Sequence, residues 1–426
     1  MAGLTNIDNL VLGSYNELIL PKSDLLKSFA SLRPTAPFRD SFVYNNNCYA
    51  VAGVVIEKIT GMSLSRALHE RLFAPLGMTR TGLRWPGHDV DDDVARAYKT
   101  LADGTQWEIP PPGSSEGTIW EAAGGVKSTI SDLTRFYAAV LDSMAPLESR
   151  NRYRGAGGRP NVSTVKEGRT LYGGHNRRPA SNLNEAGYAL GWYRTQLPGN
   201  INTGNNKFYF PDGPIVGRGV DPTLCFHHNG LMPGSTSSVY LLPSHNTAII
   251  VLHNGNAYGD AAVWSGQILV EAILNCPAVN DWAALAERGA LGMLRHQPAL
   301  QQELDSHQTL HDPGSEVAQY AGTYWNHAHL YKIAVEVGKG SNGSKNELRM
   351  KFQGLENERF GLRPYQMDAF RWDFDYDTAC KLAREIPDFQ AENYVMRFLR
   401  GGEGRVNALT WRWDDHFEKP EVFERE

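Results

Sequence analysis

The sequence predicts an α+β protein: an antiparallel sheet flanked by helices, then an antiparallel β-barrel as a separate C-terminal unit. Three observations predict it. Apolar runs at Leu224 to His228, Ser238 to Leu242 and Thr247 to Leu252 follow one another, the last two joined by the turn Pro243-Ser244-His245-Asn246, as neighbouring antiparallel strands do. Helical periodicity brackets them: residues 133, 136, 137, 140 and 141 share one face, and Asp260 to Leu274 is amphipathic. Beyond residue 316 the period falls to two, in Tyr331 to Val337, Leu348 to Phe352, Tyr394 to Phe398 and Val406 to Trp413. The polar stretch Gln301 to Gly314 separates the two patterns, so the expected division is 1–300, a linker 301–316, and a barrel or meander over 317–426.

Taken in order, residues 1–41 carry only a possible helical turn at Leu25 to Ala30 and no complete unit. Phe42-Val43-Tyr44-Asn45-Asn46-Asn47 then enters an apolar helix, Val51 to Ile59, that stops at Thr60-Gly61. Ser63 reads as the N-cap of a second helix, Leu64 to Leu72, ended by Pro75-Leu76-Gly77-Met78. Asp91-Asp92-Asp93 and Pro110-Pro111-Pro112-Gly113 read as surface loops. Ala122 to Val126 is a run of small residues that lets backbone approach something closely, such as a cleft floor, and Ser128 or Ser131 caps the helix that follows. Arg150 to Arg178 is rich in Arg and Gly and reads as a solvated excursion, while Tyr188 to Tyr193 reads as buried strand. The nearly continuous apolar run Thr247 to Leu252 calls for cover on both faces of the sheet.

Composition narrows the function. With 426 residues, 41% hydrophobic, the chain can bury large cores. A net charge of −5 and a pI near 6.2 give no reason to expect nucleic acid or an anionic membrane as partner. Cys48, Cys225, Cys276 and Cys380 are scattered without metal or disulfide spacing, so reduced thiols are expected, with no metal and no organic cofactor. Without a basic start and apolar run at Met1, or any membrane-length apolar segment, the expected location is the cytoplasm.

Tyr44 and Asn46 stand where a loop enters a buried helix, a stiff place to hold catalytic groups. The plain alternative is a buried tyrosine and a helix-capping asparagine. Further landmarks shift the weight: Tyr44-Asn45-Asn46 with Tyr49, Pro75-Leu76-Gly77-Met78, Ala123-Gly124-Gly125, Tyr188-Ala189-Leu190-Gly191-Trp192, and His228-Asn229-Gly230 with Pro233-Gly234. In order and spacing these resemble the serine β-lactamase-like family, which takes in class C β-lactamases, penicillin-binding D-peptidases, D-aminopeptidases, family VIII esterases and fungal acyltransferases. The resemblance covers about residues 1–275; the tail from about 316 resembles the barrel appended to some large members. It implies a β-lactamase/transpeptidase-like sheet and an acyl-serine mechanism. Tyr44 would relay the proton and donate it to the leaving group, and Asn46 would orient the family's lysine and the substrate. His228 would bind substrate or balance the Tyr44 proton. Asn229, Gly230 and Leu231 would form the substrate edge, with the Leu231 N–H as an oxyanion donor. His227, on the opposite strand face, is expected to be structural.

One family part is missing. Relatives carry Ser-x-x-Lys well ahead of Tyr-x-Asn, and none of the residues before Tyr44 spells it. The expectation is a chain that begins partway through the catalytic domain, without the nucleophile helix and first strands, and is inert alone. Ser163-Thr164-Val165-Lys166 does spell the motif, but in the Arg/Gly-rich excursion, where Ser163 is better read as a surface cap. The expected function is thus an acyl-serine hydrolase or transacylase acting on ester, amide or thioester acyl groups of a small molecule, with secondary metabolism as one setting. The alternatives are a catalytically dead acyl-binding relative or an interaction protein. An in-frame Ser-x-x-Lys upstream in the transcript would favour the first. Substrate identity and oligomeric state are not legible in the sequence.

Overall fold

The computed structural model describes residues 2–40, 42–85, 93–144, 165–178, 184–204, 206–210, 212–309, 314–339, 346–384, 389–414 and 419–426. Its central sheet has six strands: β1 (Asn176–Arg177), β2 (Ala186–Tyr188), β3 (Tyr193–Leu197), β4 (Thr223–Met232), β5 (Ser235–Leu242) and β6 (Thr247–His253). Each pairs antiparallel with its neighbour in sequence, so the sheet is a plain meander. Of the expected buried strand Tyr188 to Tyr193, the two ends are the last residue of β2 and the first of β3, both buried, and residues 189–192 turn between them. The Ala189 N–H donates to the Trp192 carbonyl, and Gly191 takes a φ of +88°, which a side chain resists.

Strand periodicity explains the cover on both faces. Helices α1 (Asn46–Thr60), α2 (Ile130–Met144) and α3 (Ala261–Ile273) carry the principal apolar faces of this region. Phe226, Val239 and Leu241 point one way, into a core with Val140 and Leu141 of α2. Cys225, Tyr240, Leu242 and Ile249 point the other way, against Val270 of α3. Asp260 caps α3 by accepting from the Val263 N–H at 3.1 Å. At the start of α2 the bond is made by neither expected serine: Thr129 Oγ1 accepts from the Asp132 N–H at 3.3 Å.

Helix α1 starts at Asn46, five residues ahead of the apolar run Val51 to Ile59 that the sequence marks, because a polar cap and not the first apolar residue sets its beginning. Asn45 is its N-cap, accepting from the Cys48 N–H at 2.9 Å. Asn47 is buried and locked between Ser28 and the Trp120 indole. Gly53 lets α1 lie against the small-residue run: a Cβ there would fall 2.6 Å from the Ala122 Cβ. The chain after Ile273 then forms a long helix, α4 (Trp282–His307), so residues 301–307, read as linker, are helical. Polar composition does not forbid this, because Leu300 and Leu304 of α4 are buried in the shared core.

The C-terminal unit is a closed antiparallel barrel of eight strands. They are β7 (Gly322–Asn326), β8 (Lys332–Lys339), β9 (Asn346–Phe352), β10 (Arg359–Gln366), β11 (Ala369–Arg371), β12 (Val395–Arg400), β13 (Val406–Trp411) and β14 (Glu421–Arg425). Closure through β7 and β14 removes both edges. The unreadable N-terminal segment is the seam between the two units. Ile7, Leu10, Val11, Ile19, Leu20 and Leu25 join one core with barrel residues such as Tyr331, Phe352 and Trp411. Asn9 Nδ2 donates to the Trp413 carbonyl at 2.8 Å. The buried Glu358 accepts from the Ser14 N–H and faces Arg384 at 3.5 Å, while Arg384 donates to the Leu12 carbonyl.

Candidate active site

A cavity of about 1780 Å³ opens between the sheet, α1, the 122–126 run and the barrel seam, larger than most small-ligand pockets. All six residues singled out in the sequence line it: Tyr44, Asn46, His228, Asn229, Gly230 and Leu231. Tyr44 is 37% exposed, and its ring centroid lies 6.1 Å from that of His228, with the planes at 42°. Burial, then the nearby Asp8 carboxylate, raises the Tyr44 phenol above its ordinary value, so it keeps its proton at neutral pH. Asn46, one residue inside α1, donates from Nδ2 to Asp8 Oδ2 at 2.7 Å. Asp8 comes from the N-terminal stretch that carried no readable pattern.

His228 belongs to the part of β4 that outruns its neighbour. β3 pairs with β4 only from Thr223 to His227, so the β3-side edge of residues 229–232 has no strand partner among the described residues. An extended substrate can pair there as an added strand. The glycine at 230 has a further reason: a Cβ would meet Ser237 Oγ of β5 at 2.5 Å.

The tautomer of His228 follows from its partners. Nδ1 lies 2.7 Å from the Asn229 carbonyl oxygen, which can only accept, so Nδ1 carries the proton. Burial pulls the imidazole below its ordinary value, leaving it neutral, with Nε2 an acceptor. The Tyr188 hydroxyl, at 3.2 Å, must then donate to Nε2 and accept from the Tyr49 hydroxyl at 3.0 Å. The sequence marks Tyr49 and Tyr188 as landmarks but contains no sign of this chain, since its three members are brought together only by folding. His227 points away from Tyr44, stacked between Tyr193 and Tyr240 and sharing a hydrogen bond with Thr195.

The 122–126 run forms cavity wall, as its small residues suggest. Beside it Lys127 donates to the Gly125 carbonyl at 2.8 Å and to the Ser114 carbonyl, under the Trp85 ring. Burial pulls its ammonium down to about 8. Among the described residues four serines line the cavity, Ser128, Ser235, Ser237 and Ser238, and none of these has a lysine three residues on. Ser163 and Thr164 lie outside the described residues. Among the described residues no cluster of His, Cys, Asp and Glu could hold a metal ion.

The comparisons with known proteins follow the same division. The family described as Beta-lactamase matches residues 4–272, and a domain of unknown function, DUF3471, matches 308–425. The Beta-lactamase of Escherichia coli (strain K12) is 24% identical over 261 residues, 59% of this chain and 62% of that protein. Unguisins hydrolase ungD of Aspergillus violaceofuscus (strain CBS 115571) is 24% identical over 326 residues, 71% of this chain and 51% of its own length. The octameric penicillin-binding protein homologue from Pyrococcus abyssi superposes with a TM-score of 0.41 at 16% identity, covering 91% of this chain and 66% of that one. The chain spans about half the length of the curated relatives it matches. With the family match running through α1, the sheet and all six cavity residues, the chain belongs to the β-lactamase family.

Proposed function

We propose that this cavity seats the acyl group of a small ester, amide or thioester and handles the proton of an acyl-serine reaction, hydrolysis or transfer. The observation that carries the reading is the convergence of the Tyr44 phenol, the Asn46 amide and the His228 imidazole on one cavity, beside a strand edge with no strand partner among the described residues. The relatives named Beta-lactamase and unguisins hydrolase support a hydrolytic member.

In such a reaction a serine hydroxyl adds to the acyl carbonyl. As the bond to the leaving oxygen, nitrogen or sulfur breaks, a phenol gives that atom its proton and takes up the one the serine releases. A Tyr44 held protonated by burial suits the donor role. Neutral His228, with Nδ1–H committed to a carbonyl and Nε2 to Tyr188, holds the wall beside it in one orientation. Asn46 would present its amide to the substrate or to a lysine, and the free edge after His228 would supply backbone N–H groups to the developing oxyanion. The serine–lysine pair is not among the described residues that line the cavity, so this chain by itself is expected to bind acyl compounds without turning them over.

The test pairs turnover with binding. The full chain is incubated with nitrocefin and p-nitrophenyl acetate, and an unreactive acyl amide, phenylacetylglycinamide, is titrated by calorimetry. Hydrolysis at the buffer rate, with amide binding that weakens in Gly230→Val, is the expected result. Turnover well above buffer would overturn the inert-alone part, and absence of amide binding would overturn the acyl seat.

A further inference from the structure

Among the described residues, five arginines line the cavity: Arg80, Arg84, Arg96, Arg178 and Arg384. Four of them face carboxylates. Arg80 meets Asp93 at 2.8 Å, Arg84 meets Glu116 at 2.5 Å, Arg96 meets Glu108 at 3.2 Å and Arg384 meets Glu358 at 3.5 Å. Arg178 meets none among the described residues. Its guanidinium lies over aromatic faces instead, 4.4 Å from the Tyr193 ring centroid and 5.7 Å from that of Phe42.

The position is built. Arg178 follows β1 directly, and its N–H donates to the Ala186 carbonyl of β2 at 2.9 Å, which ties its backbone to the sheet. The ring it stacks on is the one that reaches the imidazole: Tyr193 lies 5.1 Å from His228 and 5.3 Å from His227. Arg178 therefore stands one aromatic ring from the Tyr44–His228 pair, at the end of a segment whose composition reads as solvated. The side chain is half-buried, and that burial pulls its guanidinium below the ordinary value. A stacked guanidinium gains from the ring faces, but its N–H donors lie in its own plane and still need acceptors. A neutral His228 cannot take over the role of receiving an anion.

We propose that Arg178 is the receptor for a carboxylate carried by the acyl substrate, gripped by the planar N–H fork beside Tyr193 and Phe42. This rests on the acyl-site reading above and adds the substrate's charge: an acyl compound with a free carboxylate on the side of the sheet formed by β1 to β3. Phe42 and Tyr193 exclude water from the pair and strengthen it.

The experiment uses two ligands that differ only in that group, phenylacetylglycine and phenylacetylglycinamide, titrated into the full chain by calorimetry. In the wild type the carboxylate is expected to bind roughly 10- to 100-fold tighter than the amide, the range for a hydrogen bond to a charged group, and the ratio should shrink as salt is raised. Arg178→Gln should bring the ratio to about 1, and Arg178→Lys should keep part of the preference. A wild-type ratio near 1, with the amide bound, overturns the proposal and leaves the acyl seat standing. A full preference that survives Arg178→Gln places the anion elsewhere and also overturns it. Failure of both ligands to bind the wild type overturns the acyl seat and this proposal with it. Arg178→Gln breaks no ion pair among the described residues, so its melting temperature should stay close to wild type.

Discussion

The seam between the sheet unit and the barrel turns on two buried charges, and replacing Glu358 by Gln tests how much. The Glu358 and Arg384 side chains are 0% and 2% exposed, with nitrogen and oxygen 3.5 Å apart. Glu358 also accepts from the Ser14 N–H, and Arg384 donates to the Leu12 carbonyl and lies over Phe352 and Phe360 at 5.0 and 5.5 Å. Glutamine keeps the shape and removes the charge, leaving a guanidinium among aromatic rings with no counter-ion from this pair. Breaking one side of such a pair costs about 3–5 kcal/mol, against a total of about 5–15 kcal/mol for a typical domain. Urea unfolding followed by the fluorescence of the buried barrel tryptophans Trp372, Trp411 and Trp413 reads the loss. The double variant Glu358→Gln/Arg384→Met carries neither charge and should recover most of it. The cavity should follow stability, since Arg384, Phe389, Asn393 and Trp413 form its barrel wall. A loss below about 1 kcal/mol for Glu358→Gln, or a double variant no more stable than the single, would show that the seam is held by apolar packing alone.

Two predictions concern the imidazoles. Tyr188→Phe removes the donor to His228 Nε2 and the acceptor for Tyr49, which should cost about 1–2 kcal/mol and raise the His228 titration midpoint, because the bond favours the neutral ring. Ring-nitrogen NMR would show it, and an unmoved midpoint would dispose of the assigned tautomer. His227 and His228 are both pulled below their ordinary value by burial, so on acidification the unfolded chain takes up protons before the folded one. Their contribution is complete above about pH 6.5 and is lost as pH falls toward the depressed folded values, with a slope approaching about 1.4 kcal/mol per pH unit for each ring. The double variant His227→Gln/His228→Gln should flatten stability between about pH 4 and 6.5, and an unchanged slope in urea midpoints would refute the assignment.

Local pattern carried much of this protein. The one-face helix over residues 133–141 and the two-residue period of the barrel strands are each encoded within a few turns of chain, so they can be read without knowing what packs on them. Tyr44 and His228 are legible only through the family resemblance of the motifs around them. Where the reading went astray, a second signal was needed. Tyr188 and Tyr193 are strand as read, yet Gly191 turns the residues between them; Gln301 to His307 is polar, yet Leu300 and Leu304 anchor it as helix.

By itself the sequence determined the three strands between Leu224 and Leu252, the helices beside them and the barrel strands, because periodicity is a property of neighbours along the chain, while the six cavity residues come from the family resemblance. Only tertiary structure decided that Asp8 meets Asn46, that the Tyr49 and Tyr188 hydroxyls chain to His228 Nε2, and that Arg178 lies over Tyr193 and meets no carboxylate among the described residues. It alone made residues 7–25 the seam of a closed barrel. Each of these joins groups 38 or more residues apart or depends on what is absent nearby. A side chain's desolvation and its partners are set by whatever the fold packs around it, and no short stretch of sequence contains that information.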